Sequence, residues 1–242
     1  MFNAKELGDA CFHGVAFRVE RWRRLQKSSR LRAYDICHMT IIMQGEANAK
    51  AQKKQASRER ILRSAAAQLR SMGIDGASVS SIMEAAGLTH GGFYAHFEDK
   101  LDLINAAFAY AMDSSREQWL KNLDPADHEK VLEMMIKRYL SRDHRDHPEH
   151  GCPLPALAAD MALHREDTAE TVEACIQRSI EVTGRHVREL EGAPPKEAED
   201  LTIALFSLCV GGVLISRAVE SPEFSNQILR ACRRFARTMI RQ

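Results

Sequence analysis

Residues 78–100, SVSSIMEAAGLTHGGFYAHFEDK, constrain this chain more than any other stretch. Ser78 suits an N-cap and opens a short helix, with Val79, Ile82, Ala85 and Ala86 as its expected inner face. Gly87 ends that helix with the backbone freedom a tight turn needs. Leu88 packs into the junction. Thr89 is placed to cap a second helix over residues 90–96, on which Phe93 and Phe97, four apart, point inward. Two short helices joined by a glycine turn, the second aromatic and bearing histidine, read as a helix-turn-helix. Such a unit lays its second helix in the major groove of DNA while its neighbours hold the phosphates.

The flanking elements follow the same logic. From Ser57 onward, Ile61, Leu62, Ala65, Ala66, Leu69 and Met72 keep helical spacing, and Gly73 is a stop signal. Lys50, Lys53 and Lys54 stand just before that helix, within reach of a phosphate backbone. Asp99 caps a long helix carrying Leu101, Leu103, Ile104, Ala107, Phe108, Ala111 and Met112. Further helices are predicted over residues 126–142, 153–164, 167–191, 196–219 and from 222 to the end, separated by Pro- and Gly-bearing breaks. A hydrophobic share of 45% supports a packed core, and no run of alternating β-branched residues makes a strand. The predicted fold class is all-α. Its parts are an N-terminal extension over residues 1–48, a three-helix DNA-binding domain over 49–98, and a helical ligand-binding and dimerisation domain over 99–242.

The net charge of +1 hides an asymmetry: residues 1–48 carry +3, residues 49–97 carry +4 and residues 98–242 carry −6. A positive front and a negative back orient such a protein toward a polyanion. The extension is expected to be a disordered basic arm with no essential role in the fold. Six scattered cysteines without a CxxC pair read as free thiols in a reducing cytoplasm. The apolar run at 11–17 is too broken for a signal peptide. The run at 203–215 is expected to be too short to cross a membrane.

Taken in order and register, Ser57, Ser78-Val79, Ile82, Ala85-Ala86-Gly87, Gly91, Phe93-Tyr94, His96-Phe97, Lys100 and Leu103 resemble the DNA-binding domain of the tetracycline-repressor (TetR) family of bacterial regulators. The resemblance implies a cytoplasmic homodimer on a near-palindromic double-stranded operator, released by a small-molecule effector. It also implies that Ser78, Tyr94, His96 and Lys100 meet phosphates, while Thr89, His90, Gly91 and Gly92 face base edges or lie against the DNA backbone. Two positions depart from the family pattern. Met83 stands where a small alanine is usual, so the packing between helices must adjust. His90 stands where Lys or Arg is common. Gly91-Gly92 costs about 1 kcal/mol of helix propensity per residue relative to Ala.

Outside this region, Gly151-Cys152-Pro153 puts Cys152 near a helix start, where the helix dipole and nearby His147, His150 and Arg145 would lower its pKa. That makes Cys152 a candidate redox or electrophile switch, set against a plain packing role. His144, His147 and His150 have a spacing open to metal ligation, but Pro148 and Gly151 break the helix it needs. No metal and no cofactor are expected. Phe108, Met112, Trp119, Met135, Tyr139, Met161 and Cys175 are candidates to line an effector pocket. The last two helices are expected to pair with their copies, through Leu201, Leu205, Leu208, Gly212, Ile215 and Val219 and through Phe224, Ile228, Leu229, Cys232, Phe235 and Met239. A hydrolase built on Cys152, or a helical scaffold without DNA binding, is the remaining alternative. The first lacks an acid/base partner and a phosphate-binding loop, and the second leaves residues 78–100 unexplained.

Overall fold

The first helix extends further upstream than periodicity predicts. The computed structural model describes residues 33–191 and 194–241, with side chains described from residue 48 onward save 191–193, Pro195 and Gln242. Helix α1 spans Ala33–Gly76, so residues 33–48, expected to be disordered, are helical. The rest of the expected basic arm lies outside the described residues. The chain divides into two units, residues 1–56 and residues 57–242. In the first, Lys50, Lys53 and Lys54 are exposed.

In the second unit, α1 buries Ile61, Leu62, Ala65, Ala66 and Leu69. The helical path breaks at Gly73, whose φ is 74° and ψ 179°. A Cβ there would also come within 2.8 Å of an Asp160 carboxylate oxygen, so glycine is required twice over. Met72, just before the break, is half exposed rather than part of the core stripe.

Helix α2 spans Val79–Ala85 and is followed by a 3₁₀ turn, His90–Ala95. Then come α3 (Lys100–Leu120), α4 (His128–Tyr139), α5 (Arg142–Asp146), a second 3₁₀ turn (Pro148–His150), α6 (Leu154–Leu163), α7 (Arg165–Glu191), α8 (Pro195–Ala218) and α9 (Pro222–Met239). The helix predicted over 126–142 ends at Tyr139, and the short α5 beyond it was not predicted: the chain leaves helical geometry at Leu140, and Ser141 caps a new start by accepting from His144 N. Elsewhere the predicted ends hold to within a few residues. Phe108, Leu132, Leu140, Leu157 and Met161 are fully buried in the hydrophobic core. Helix α7 packs on α3 and α4, and α8 lies against α7 and α9.

Helix α8 corrects one expectation. Within Lys196–Ala218 an 18-residue window has a mean hydropathy of 1.9, enough to cross a membrane by length and composition alone, a test that the core helix of a folded domain also passes. The helix is apolar on two faces. Leu205, Cys209 and Val213 turn into the core, and Gly212 packs against Cys232 and Leu140. The outward stripe is the neighbouring one: Ile203, Ser207, Leu214 and Ile215 are exposed, and the space beside Gly211 is open. Phe224 and Phe235 continue it on α9, at 52% and 60% exposure.

Candidate nucleic-acid interface and internal pocket

Ser78 opens α2 with extended backbone, its hydroxyl accepting from Ser81 N at 3.1 Å. The inner face of α2 is Ile82, Met83 and Ala86, while Ala85 is exposed. The larger Met83 side chain takes the buried position, and this sets the helix phase. Its Cε lies 3.7 Å from where a Cβ on Gly92 would stand, so the departure at Met83 is met by a residue with no side chain. Gly87, at φ 66°, makes the turn. Leu88 N donates to the Met83 carbonyl at 2.9 Å and returns the chain to the core.

The second helix is a 3₁₀ turn. Thr89 occupies its N-cap position, but its side chain makes no capping bond; instead Gly92 N donates to the Thr89 carbonyl at 3.0 Å. Consecutive glycines favour this tighter path. Phe93 and Phe97 are buried and stacked with centroids 5.8 Å apart. Thr89, His90 and Gly91 are left exposed, and Tyr94 is 70% exposed with its ring edge-on to Phe93. His96 is half-buried beside Phe97. Lys100 is also half-buried, and its ammonium donates to the Ile74 carbonyl at 2.9 Å, which ties the start of α3 to the end of α1. Two residues that pattern reading passed over join this face. Exposed Arg60 borders the Gly87 turn, and the Arg58 guanidinium sits 4.9 Å over the Phe97 ring. Both lie on α1, where only packing against the next helices reveals what they approach.

Deeper in the unit, α3, α4, α7 and α8 enclose a pocket with about 650 Å³ free of protein atoms, its mouth included. Of the candidates, Met112, Trp119, Met135 and Tyr139 line it. Phe108 and Met161 are instead fully buried in the core, and half-buried Cys175 is outside the lining. Arg116, Phe206, Cys152 and Cys209 were not expected there. The pocket gathers residues from distant helices, and no spacing within one helix announces it.

Cys152 corrects an expectation. Pro153, not Cys152, is the N-cap residue of α6, and Cys152 is buried. Burial pushes its thiol pKa up, outweighing the Tyr139 hydroxyl and the Arg70 and Arg217 guanidinia that pull it down. The backbone N–H of Leu154 at the start of α6 also pulls it down, and burial outweighs that too. The three histidines are drawn apart as well. His144 is buried, accepting from Cys152 N through Nε2 at 2.9 Å and donating from Nδ1 to the Tyr139 carbonyl at 2.7 Å. His147 turns back to Asp143, and His150 points outward. Burial first, with Arg217 and Arg70 nearby, lowers the His144 pKa to about 4, so it is a neutral strut.

The pocket and the DNA-binding face share parts. Arg70 of α1 is buried and donates to the Gly151 carbonyl at 2.7 Å, one residue before Cys152 of the pocket wall. Burial lowers its pKa to about 10, which leaves it charged. Ile74 N donates to the Asp160 carboxylate at 3.2 Å. Helix α3 begins at Lys100 beside α1 and carries Met112, Arg116 and Trp119 along the pocket.

Comparison with known proteins agrees with this geometry. Residues 61–107 match the family model of bacterial regulatory proteins, tetR family. An uncharacterized HTH-type transcriptional regulator of Mycobacterium tuberculosis is 26% identical over 175 residues, 67% of this chain and 85% of its own. The crystal structure of a TetR transcriptional regulator from Chloroflexus aurantiacus is 27% identical. It superposes with a TM-score of 0.61 over 79% of this chain and 97% of its own. NemR of E. coli in its reduced form, 15% identical, shares the fold with a TM-score of 0.63 over 75% and 95% of the two chains.

Proposed function

We propose that this chain, whose residues 61–107 match the tetR family of bacterial regulatory proteins, is a transcriptional regulator rather than an enzyme: a cytoplasmic dimeric repressor, released from a near-palindromic operator by a small molecule. One observation carries the docking face. The turn after Gly87 buries Phe93 and Phe97 and leaves Thr89, His90, Gly91 and Tyr94 on one exposed surface. Thr89 and His90 read base edges, and Gly91-Gly92 lets the backbone come close to the duplex. Ser78, Tyr94, His96 and Lys100 hold phosphates, with Arg60 beside the turn as a further cation. So few long side chains leave much of the specificity to DNA shape.

Dimerisation uses the outward stripe of α8 and α9. Ile203, Leu214, Ile215, Phe224 and Phe235 are too many large apolar groups to leave in water on adjoining helices. Two copies pack as a four-helix bundle, and their docking faces fall on half-sites about one helical turn or more apart.

The effector enters the pocket between α3, α4, α7 and α8. Filling it displaces α3 and the Gly151-Cys152 segment, and the α1 tethers at Lys100 and Arg70 carry that displacement to the DNA-binding helices. Selection of bound sequences from a random DNA pool tests the reading. A two-fold site with fixed half-site spacing is expected. Recovery of no enriched sequence overturns it.

A further inference from the structure

On the premise that this pocket is the effector site, we infer that it takes an uncharged aromatic molecule with one oxygen function, and that this oxygen meets the Tyr139 hydroxyl. Tyr139 is only 6% exposed, lines the pocket, and its Oη has no hydrogen-bonding oxygen or nitrogen partner among the described residues. It shares a side-chain hydrogen bond with the Cys152 thiol, and sulfur is a weak acceptor. A buried hydroxyl left this poorly paired gains most from a ligand oxygen.

The remaining walls select the rest of the molecule. Trp119 lies 4.7 Å from the Tyr139 ring, centroid to centroid, and Phe206 adds a third aromatic side chain. Met112, Met135 and Cys209 are soft and polarizable, suited to a flat ring. Arg116 is the only formally charged residue of the lining, and it is already engaged. Its guanidinium is paired with the Asp113 carboxylate and reaches Ser179 Oγ at 3.4 Å. With its charge already offset by Asp113, Arg116 offers an anion less than a free guanidinium would, and a cation would find no carboxylate in the lining.

The test is calorimetric titration of the full-length protein with 2-naphthol, naphthalene and 2-naphthoate at neutral pH, repeated on Tyr139→Phe. We expect 2-naphthol to bind about tenfold or more tightly than either other probe. We expect Tyr139→Phe to bring it level with naphthalene while naphthalene binding persists, which also reports an intact pocket. Three outcomes overturn the inference: 2-naphthoate binding as well as 2-naphthol, the naphthol advantage surviving in Tyr139→Phe, or none of the three binding at millimolar concentration. A gel shift on the selected operator separates this from the effector reading. Selective naphthol binding without operator release removes the effector role and leaves the pocket chemistry standing. Operator release by naphthoate alone does the reverse.

Discussion

The Arg70 guanidinium donates to the carbonyl of Gly151, 81 residues away in sequence, at 2.7 Å. It joins the first helix of the DNA-binding part to the wall of the pocket. Among the described residues, the Ser115 hydroxyl is the other side chain that reaches that carbonyl, at 3.5 Å. Arg70→Met should therefore leave Gly151 poorly paired and cost about 1–3 kcal/mol, a fall in Tm of several degrees in a thermal melt. Operator affinity without effector should change little, while the effector's influence on it should shrink. Unchanged release by effector would show that Arg70 is structural only.

The docking face makes separable predictions. Tyr94→Ala should lower affinity for all DNA sequences about tenfold. Lys100→Ala should do likewise and reduce the slope of log affinity against log salt by about one. Because Lys100 also ties α3 to the Ile74 carbonyl, this variant should melt earlier as well, whereas Tyr94→Ala should not. His90→Ala should redistribute sequence preference in a repeated pool selection. Filter binding across salt concentrations reads all of these.

Acid should destabilise the folded chain through His144. Its folded pKa is lowered from 6.5 to about 4, so between those values the unfolded chain binds the extra proton. Stability is then fully present above about pH 6.5 and is lost as pH falls through 4. The shift corresponds to about 3 kcal/mol. His186, lowered by burial and by the His128 ring 2.9 Å away between Nδ1 atoms, adds to the loss with the same sign. Denaturant melts from pH 7 to 4 should show His144→Gln with the shallower pH dependence.

Cys152 should be a poor redox sensor. With its thiol buried and its pKa raised, alkylation in the folded protein should be much slower than after unfolding, as mass spectrometry of the modified peptides would report. Wild type and Cys152→Ser should release operator alike under mild oxidant. Loss of the response in the variant would restore the switch.

The outward stripe on α8 and α9 predicts that Leu214→Glu with Phe224→Glu raises the dimer dissociation constant about a hundredfold or more. Analytical ultracentrifugation would show monomer, with operator affinity falling in step. A dimer that withstands both changes would place the interface elsewhere.

Sequence alone determined the helices and the local unit at residues 78–100. Caps at Ser78 and Asp99, the turn at Gly87 and the inward pair Phe93 and Phe97 all act within a few residues, where spacing and backbone preference are sufficient. Tertiary structure decided which apolar stripe faces inward. On α8 two stripes compete, and contact with Cys232 and Leu140 draws Gly212 in and leaves Gly211 bare. On α2, volume gave Met83 the place expected of Ala85. Burial likewise reversed the expected direction at Cys152, because desolvation depends on every neighbouring helix and not on the residues beside it. The pocket and the Arg70 link are of the same kind, assembled from helices far apart in the chain, with no local signal to mark them.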